Sequence, residues 1–239
     1  MKINCNLKLT SLAACVFAVL LATGCASTEV TNREQLVTGQ LPKPGTIWVY
    51  DFAATAADVP ANSALAGEDL DTTPQTAEQI AEGKKLGALI ATELAAEINQ
   101  MGMAAVASAD AKPQINDIVI RGYLLSVNEG SAVKRVAIGF GAGKSSLSTM
   151  VEGFQMTATG LRKLGVGDVN AGGNKSPGMV LGAATFLATK NPAGLIINAG
   201  AQTYEEASGS STVEGRAKAS AKEIADVLKK RFQEQGWIN

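Results

Sequence analysis

The chain has no histidine. Serine hydrolysis with an imidazole base is therefore excluded, and a zinc site would need carboxylates alone, which is rare. Three cysteines are present. Cys5 and Cys15 lie in a leader read below as removed, and Cys25 is read as acylated, so the mature chain keeps no disulfide and no free thiol. Aromatic residues make up 5% of the chain, too few for a stacked sugar platform. An excess of one charge is missing too. Lys and Arg total 21 against 22 Asp and Glu, which is not the basic footprint of a nucleic-acid binder. No apolar run reaches the roughly 20 residues a membrane-spanning helix needs. What the chain does have is 46% hydrophobic and only 18% charged residues, enough for a sizeable core.

The first residues read as an address. Lys2 and Lys8 precede an apolar run over 9–22, and Thr23, Gly24 and Cys25 follow. A positive start, a short apolar run and small residues describe a secretory signal peptide. Leu21-Ala22-Thr23-Gly24-Cys25 resembles a bacterial lipobox, with Ala22 where leucine is usual. The resemblance implies cleavage before Cys25, with diacylglycerol and N-acyl lipid on its sulfur and new amino terminus, and no other cofactor. Such chains anchor a protein durably. Ala26 in place of Asp implies the periplasmic face of the outer membrane. Loss of Lys2 and Lys8 leaves 19 bases against 22 acids, a net charge of −3.

Three regions follow: a signal peptide over 1–24, a lipidated cysteine with a flexible tether over 25–44, and an α+β periplasmic domain over 45–239. The tether is polar and ends in Pro42-Lys43-Pro44; as a coil it would span roughly 24 Å. Ile47 to Phe52 is a strand by its β-branched and aromatic content. Residues 53–75 form a long loop, either disordered or a binding surface. Thr76 with Gln79 has capping-box spacing, and Leu86, Leu89, Ile90, Leu94 and Ile98 give an apolar helical stripe up to Gly102. A short strand over 103–107, strands near 117–127, 133–139 and 147–159, and a Gly/Asn/Ser loop over 160–178 come next. Residues 178–203 read as an apolar helical hairpin, broken by Lys190-Asn191-Pro192. It is open to three roles: core, interface or membrane-facing surface. A final helix begins near Ser211 or Thr212 and ends at Gly236, with Glu214–Lys218 and Asp226–Lys230 at favourable spacing. The expected fold is α+β, with one sheet of about four to five mostly antiparallel strands and helices mainly on one face.

Chemical motifs are few. Gly139-Phe140-Gly141-Ala142-Gly143-Lys144-Ser145 looks like a phosphate loop, but Ile138 stands where the first glycine belongs. The next segment reads as a strand, whereas a phosphate loop opens a helix. A turn or a contact loop is the better reading. Gly165-Val166-Gly167-Asp168 reads as a loop without dinucleotide spacing. Glu68, Asp69 and Asp71 lack the spacing of a calcium loop. Paired carboxylates for glycoside chemistry are compatible with the sequence but come with no aromatic platform. Trp48 and Trp237 read as packing residues.

Ile118-Val119-Ile120-Arg121-Gly122-Tyr123, then Glu129-Gly130-Ser131, Lys134-Arg135 and Gly139 to Ser145 resemble the signature of domain of unknown function 4410. The opening strand and the helix after it fit as well, and the resemblance spans about residues 44–236. It implies an envelope lipoprotein with an α+β fold and supplies no catalytic residue. The strand–helix–strand start is also similar to periplasmic domains of curli-secretion-channel-type lipoproteins, at fold level. The expectation is a non-catalytic, outer-membrane-anchored lipoprotein acting in protein interaction or envelope assembly. Cys25 is its anchor, and Gly139, Phe140, Gly141, Gly143, Lys144 and Ser145 form a contact loop. Its partners are the membrane, through the lipid, and an envelope protein or a second copy, with no nucleic acid and no nucleotide. The alternative is a subunit of an oligomeric envelope export or secretion complex, and an enzyme on an envelope polymer ranks third.

Overall fold

The computed structural model describes residues 28–66, 75–108, 110, 112–128, 146–172, 196–198 and 212–239. Among the described residues, seven strands form one sheet: β1 (Thr28–Gln35), β2 (Ile47–Val49), β3 (Ala105–Ala107), β4 (Ile118–Asn128), β5 (Ser146–Thr157), β6 (Gly160–Gly172) and β7 (Ile196–Asn198). The path runs β1-β6-β5-β4-β2-β3, with β7 paired to β4 beside it. Two helices are described, α1 (Ala77–Gln100) and α2 (Val213–Glu234).

The sheet corrects the expected four to five mostly antiparallel strands. β2–β3, β2–β4 and β4–β7 are parallel, while β1–β6, β4–β5 and β5–β6 are antiparallel. The parallel part has a topological cause. β2 and β3 are joined through α1, and a helical crossover is what parallel neighbours require.

Two strands arise where the sequence suggested irregular chain. β1 takes up residues 28–35 of the expected tether. It is a polar edge strand with a register shift between Thr31 and Glu34, so it has no apolar run to announce it. Charges and a bulge are common ways to blunt an edge. β6 occupies the expected 160–178 loop and contains Gly165-Val166-Gly167-Asp168. Its glycines answer to close approach: a Cβ at Gly165 would lie 2.7 Å from the Glu34 carbonyl oxygen. Residues 196–198, expected to be helical, form β7. The rest of the 178–203 hairpin and the 133–139 strand lie outside the described residues.

The helices follow their local chemistry. Thr76 caps α1, accepting from the Gln79 N–H, while the Gln79 side chain accepts from the Thr76 N–H. Gly102 takes a left-handed φ of 82° past its end. Thr212 caps α2, and Gly236 (φ 69°) follows it. The side-chain pairs are not the expected ones. Lys218 reaches Glu93 of α1 at 3.1 Å and Asp226 pairs with Lys222 at 2.9 Å. Glu214 lies 3.9 Å from Lys85 of α1.

Both helices pack on one face through a shared core. Leu86, Ile90, Leu94 and Ile98 of α1 meet Ala217, Ala221, Ile224 and Phe232 of α2 over Ile47, Ile120, Leu124 and Leu147 of the sheet. Alternate residues point to the other face, where Tyr123, Met150 and Leu65 form a second, small cluster. Leu65 comes from the segment 53–66, so this part of the long loop is a packed cover.

Candidate functional site

Cys25 and the Gly139–Ser145 loop lie outside the described residues, as do Glu68, Asp69 and Asp71. The described residues hold two other features with chemical character, one on each side of the sheet.

The first is a groove of about 650 Å³ between the C-terminal half of α2 and strands β1, β5 and β6. Its floor is aliphatic, with Val151, Leu164, Val169, Ile224 and Leu228. The exposed charges Arg33, Glu34, Lys230 and Glu234 border it. The segment after β1 fixes one wall. The Trp237 indole N–H donates to the Leu41 carbonyl at 3.1 Å, Arg231 donates to the Val37 carbonyl at 3.0 Å, and the Gln235 amide donates to the Gly39 carbonyl at 3.2 Å. Trp237 is buried and packs on Phe232 with ring centroids 5.5 Å apart. Trp48 is anchored differently, donating its indole N–H to Asp117, which also accepts from the Thr46 and Gln114 N–H groups. An apolar floor with a mixed-charge border is the anatomy of a contact surface.

The second is a charge cluster on the opposite face. The Glu152 side chain is fully buried. Its Oε1 accepts from Lys163 Nζ and from the Ala64 N–H at 2.8 Å; its Oε2 accepts from the Tyr123 hydroxyl at 2.8 Å. Burial pushes the Tyr123 phenol well above its ordinary value. The Ser63 hydrogen bond opposes this and the Glu152 charge adds to it. Arg121 lies over the Tyr50 and Phe154 rings at 5.2 and 5.5 Å and donates to the Asn62 side chain at 2.9 Å. Both Glu152 oxygens are engaged, so the cluster ties residues 62–65 down onto the sheet. Arg216 in α2 is also buried, and burial lowers its pKa.

The sequence alone singles out neither Glu152 nor Lys163, and Arg121 and Tyr123 stand in it only within the family signature. Glu152 had one visible signal: it is the single acid in the strand 147–157, at the position between inward Met150 and Phe154. Lys163 had none, because the stretch around it read as a loop.

Among the described residues, no helix is long and apolar enough to cross a membrane, and no group of three potential metal ligands gathers. Two solved structures of PelC from Paraburkholderia phytofirmans, both described as dodecamers, are similar to this chain. The L103M form is 10% identical with a TM-score of 0.35, covering 72% of this chain and 99% of its own. The second is 12% identical with a TM-score of 0.32, covering 70% and 98%. No curated protein sequence matches the chain. A family model described as "Domain of unknown function (DUF4410)" matches residues 47–190, which is more than half of the 239 residues, and the chain belongs to that family.

Proposed function

We propose that this chain is a lipid-anchored envelope domain that works by protein contact, as a subunit of an oligomeric assembly, and not by catalysis. The groove beside α2 carries the reading: its aliphatic floor and mixed-charge border suit a protein surface. The lipobox-like Leu21 to Cys25 sequence supports an anchor of diacylglycerol and N-acyl lipid on Cys25, at the periplasmic face of the outer membrane. The engagement of both Glu152 oxygens supports a structural task for the buried carboxylate.

The test is the mass of the lipidated protein in mild detergent, by light scattering coupled to size exclusion. A discrete oligomer is expected. Leu228→Glu, at the groove floor, is expected to reduce it to monomer while thermal unfolding still shows a folded domain. A monomeric parent protein would refute self-association and leave the groove to a different partner. A Cys25→Ala protein that stays in the membrane fraction would refute the anchor.

A further inference from the structure

The strand pairings place the start of β1 at one particular end of the sheet. Thr28 faces Ala171 of β6, and the next residue of β6, Gly172, faces Ser146 of β5. Ser146 in turn faces Asn128 of β4, and Asn128 faces Asn198 of β7. Five strand termini therefore share one end. The opposite end carries the two-residue turn Ala158-Thr159, closed by the Thr157–Gly160 pair. β5 separates the two ends by roughly 36 Å at about 3.3 Å per residue.

Cys25 stands three residues before Thr28. Three residues reach about 10 Å at full extension, and from Thr28 onward the expected tether is taken up by β1. We infer that the end of the sheet formed by Thr28, Asn128, Ser146, Gly172 and Asn198 is a membrane-apposed surface whose partner is the lipid headgroup layer, with the Ala158–Thr159 side of the molecule held away from it. This inference rests on the acylation of Cys25 given above. The five terminal residues carry no charge, and Glu29 is the one acid among the residues next to them in the strands. The groove runs from Val30 and Val169 near this end to Val37, Leu41 and Trp237 beyond the Gln35 terminus of β1.

The test uses the full lipidated chain in phospholipid vesicles. Acylated Cys25 leaves no competing thiol in the mature chain, so Ser146→Cys and Thr159→Cys can each carry one fluorophore. Intact mass first establishes that Cys25 is acylated. With a headgroup-attached spin label in the vesicles, the probe at 146 is expected to lose most of its fluorescence and the probe at 159 almost none. A 20-residue Gly/Ser insertion before Thr28, adding roughly 25 Å of mean reach, is expected to abolish the difference while the protein stays bound. Acylated, bound protein with equal or reversed quenching at the two sites overturns the orientation and leaves the anchor standing. Protein without acyl mass on Cys25 overturns the anchor, and the orientation with it.

Discussion

On the helix side of the sheet, Phe52 sits in a notch cut by two glycines. A Cβ at Gly87 of α1 would lie 2.1 Å from the Phe52 carbonyl oxygen, and a Cβ at Gly122 of β4 would lie 2.2 Å from its ring. On the other side, the segment 62–65 is held by the Ala64 N–H on the buried Glu152 carboxylate, which Lys163 and Tyr123 of the sheet also engage, and by Arg121 on Asn62. The first attachment is made by shape, the second by polar bonds. Shape tolerates no added volume because interiors are close-packed. A buried ion tolerates no lost partner because its desolvation is then uncompensated. The two faces therefore fail under different changes, and substitutions can separate them.

The largest effect is expected from Gly87→Ala, which sets a methyl group against a main-chain oxygen that cannot rotate away. A loss of about 3 kcal/mol follows from the range for overpacking, read as a lower urea midpoint. Gly122→Ala strikes a side chain instead, so Phe52→Ala in the same protein should recover part of the loss; a strictly additive double mutant would refute the shape account. Glu152→Ala should cost a similar or slightly smaller amount, about 3 kcal/mol. Its signature differs: rapid proteolytic cleavage within 60–66 while α1 and α2 stay protected. Equal loss of protection on both faces would show that they are not separately held.

Next in size is a pH effect. The phenol of Tyr123 is raised above its ordinary value of 10.0 by burial, so the fold favours the neutral form. Its contribution is complete below pH 10 and is lost as pH rises beyond that value. Denaturation at stepped alkaline pH should show this fall, and Tyr123→Phe should flatten it. The smallest effect belongs to Thr76→Ala, about 1 kcal/mol for a lost cap, with no change in the proteolysis of 60–66.

The helices were legible because their boundaries are written in local chemistry. Thr76 with Gln79, and Thr212 with Gly236, act over a few residues and need no knowledge of the sheet. The β-branched and aromatic strands β2, β4 and β5 were legible for the same reason. β1 and β6 were not, because their strand character depends on each other. Thr28 to Gln35 is polar and becomes a strand only where β6 offers hydrogen bonds, and Gly165 reads as a breaker until Glu34 lies against it. Parallel pairing was hidden too, since it is decided by where a helix returns the chain. At the site, Glu152 and Lys163 lie on neighbouring strands joined across the bulge between Gly153 and Phe154, a proximity that linear spacing does not express.

The absorption of residues 28–35 into β1 has a mechanical consequence. A pull on the chain upstream of Thr28 runs along the strand axis, while the bonds from β1 to β6 run across it. Such a load shears the whole ladder at once and does not peel it bond by bond. The far terminus of β1 is also braced, since the chain after it is gripped through Arg231, Gln235 and Trp237. An edge strand that is easily frayed from the side is thus a strong attachment in tension, in the one direction from which an anchor at Cys25 would draw on it.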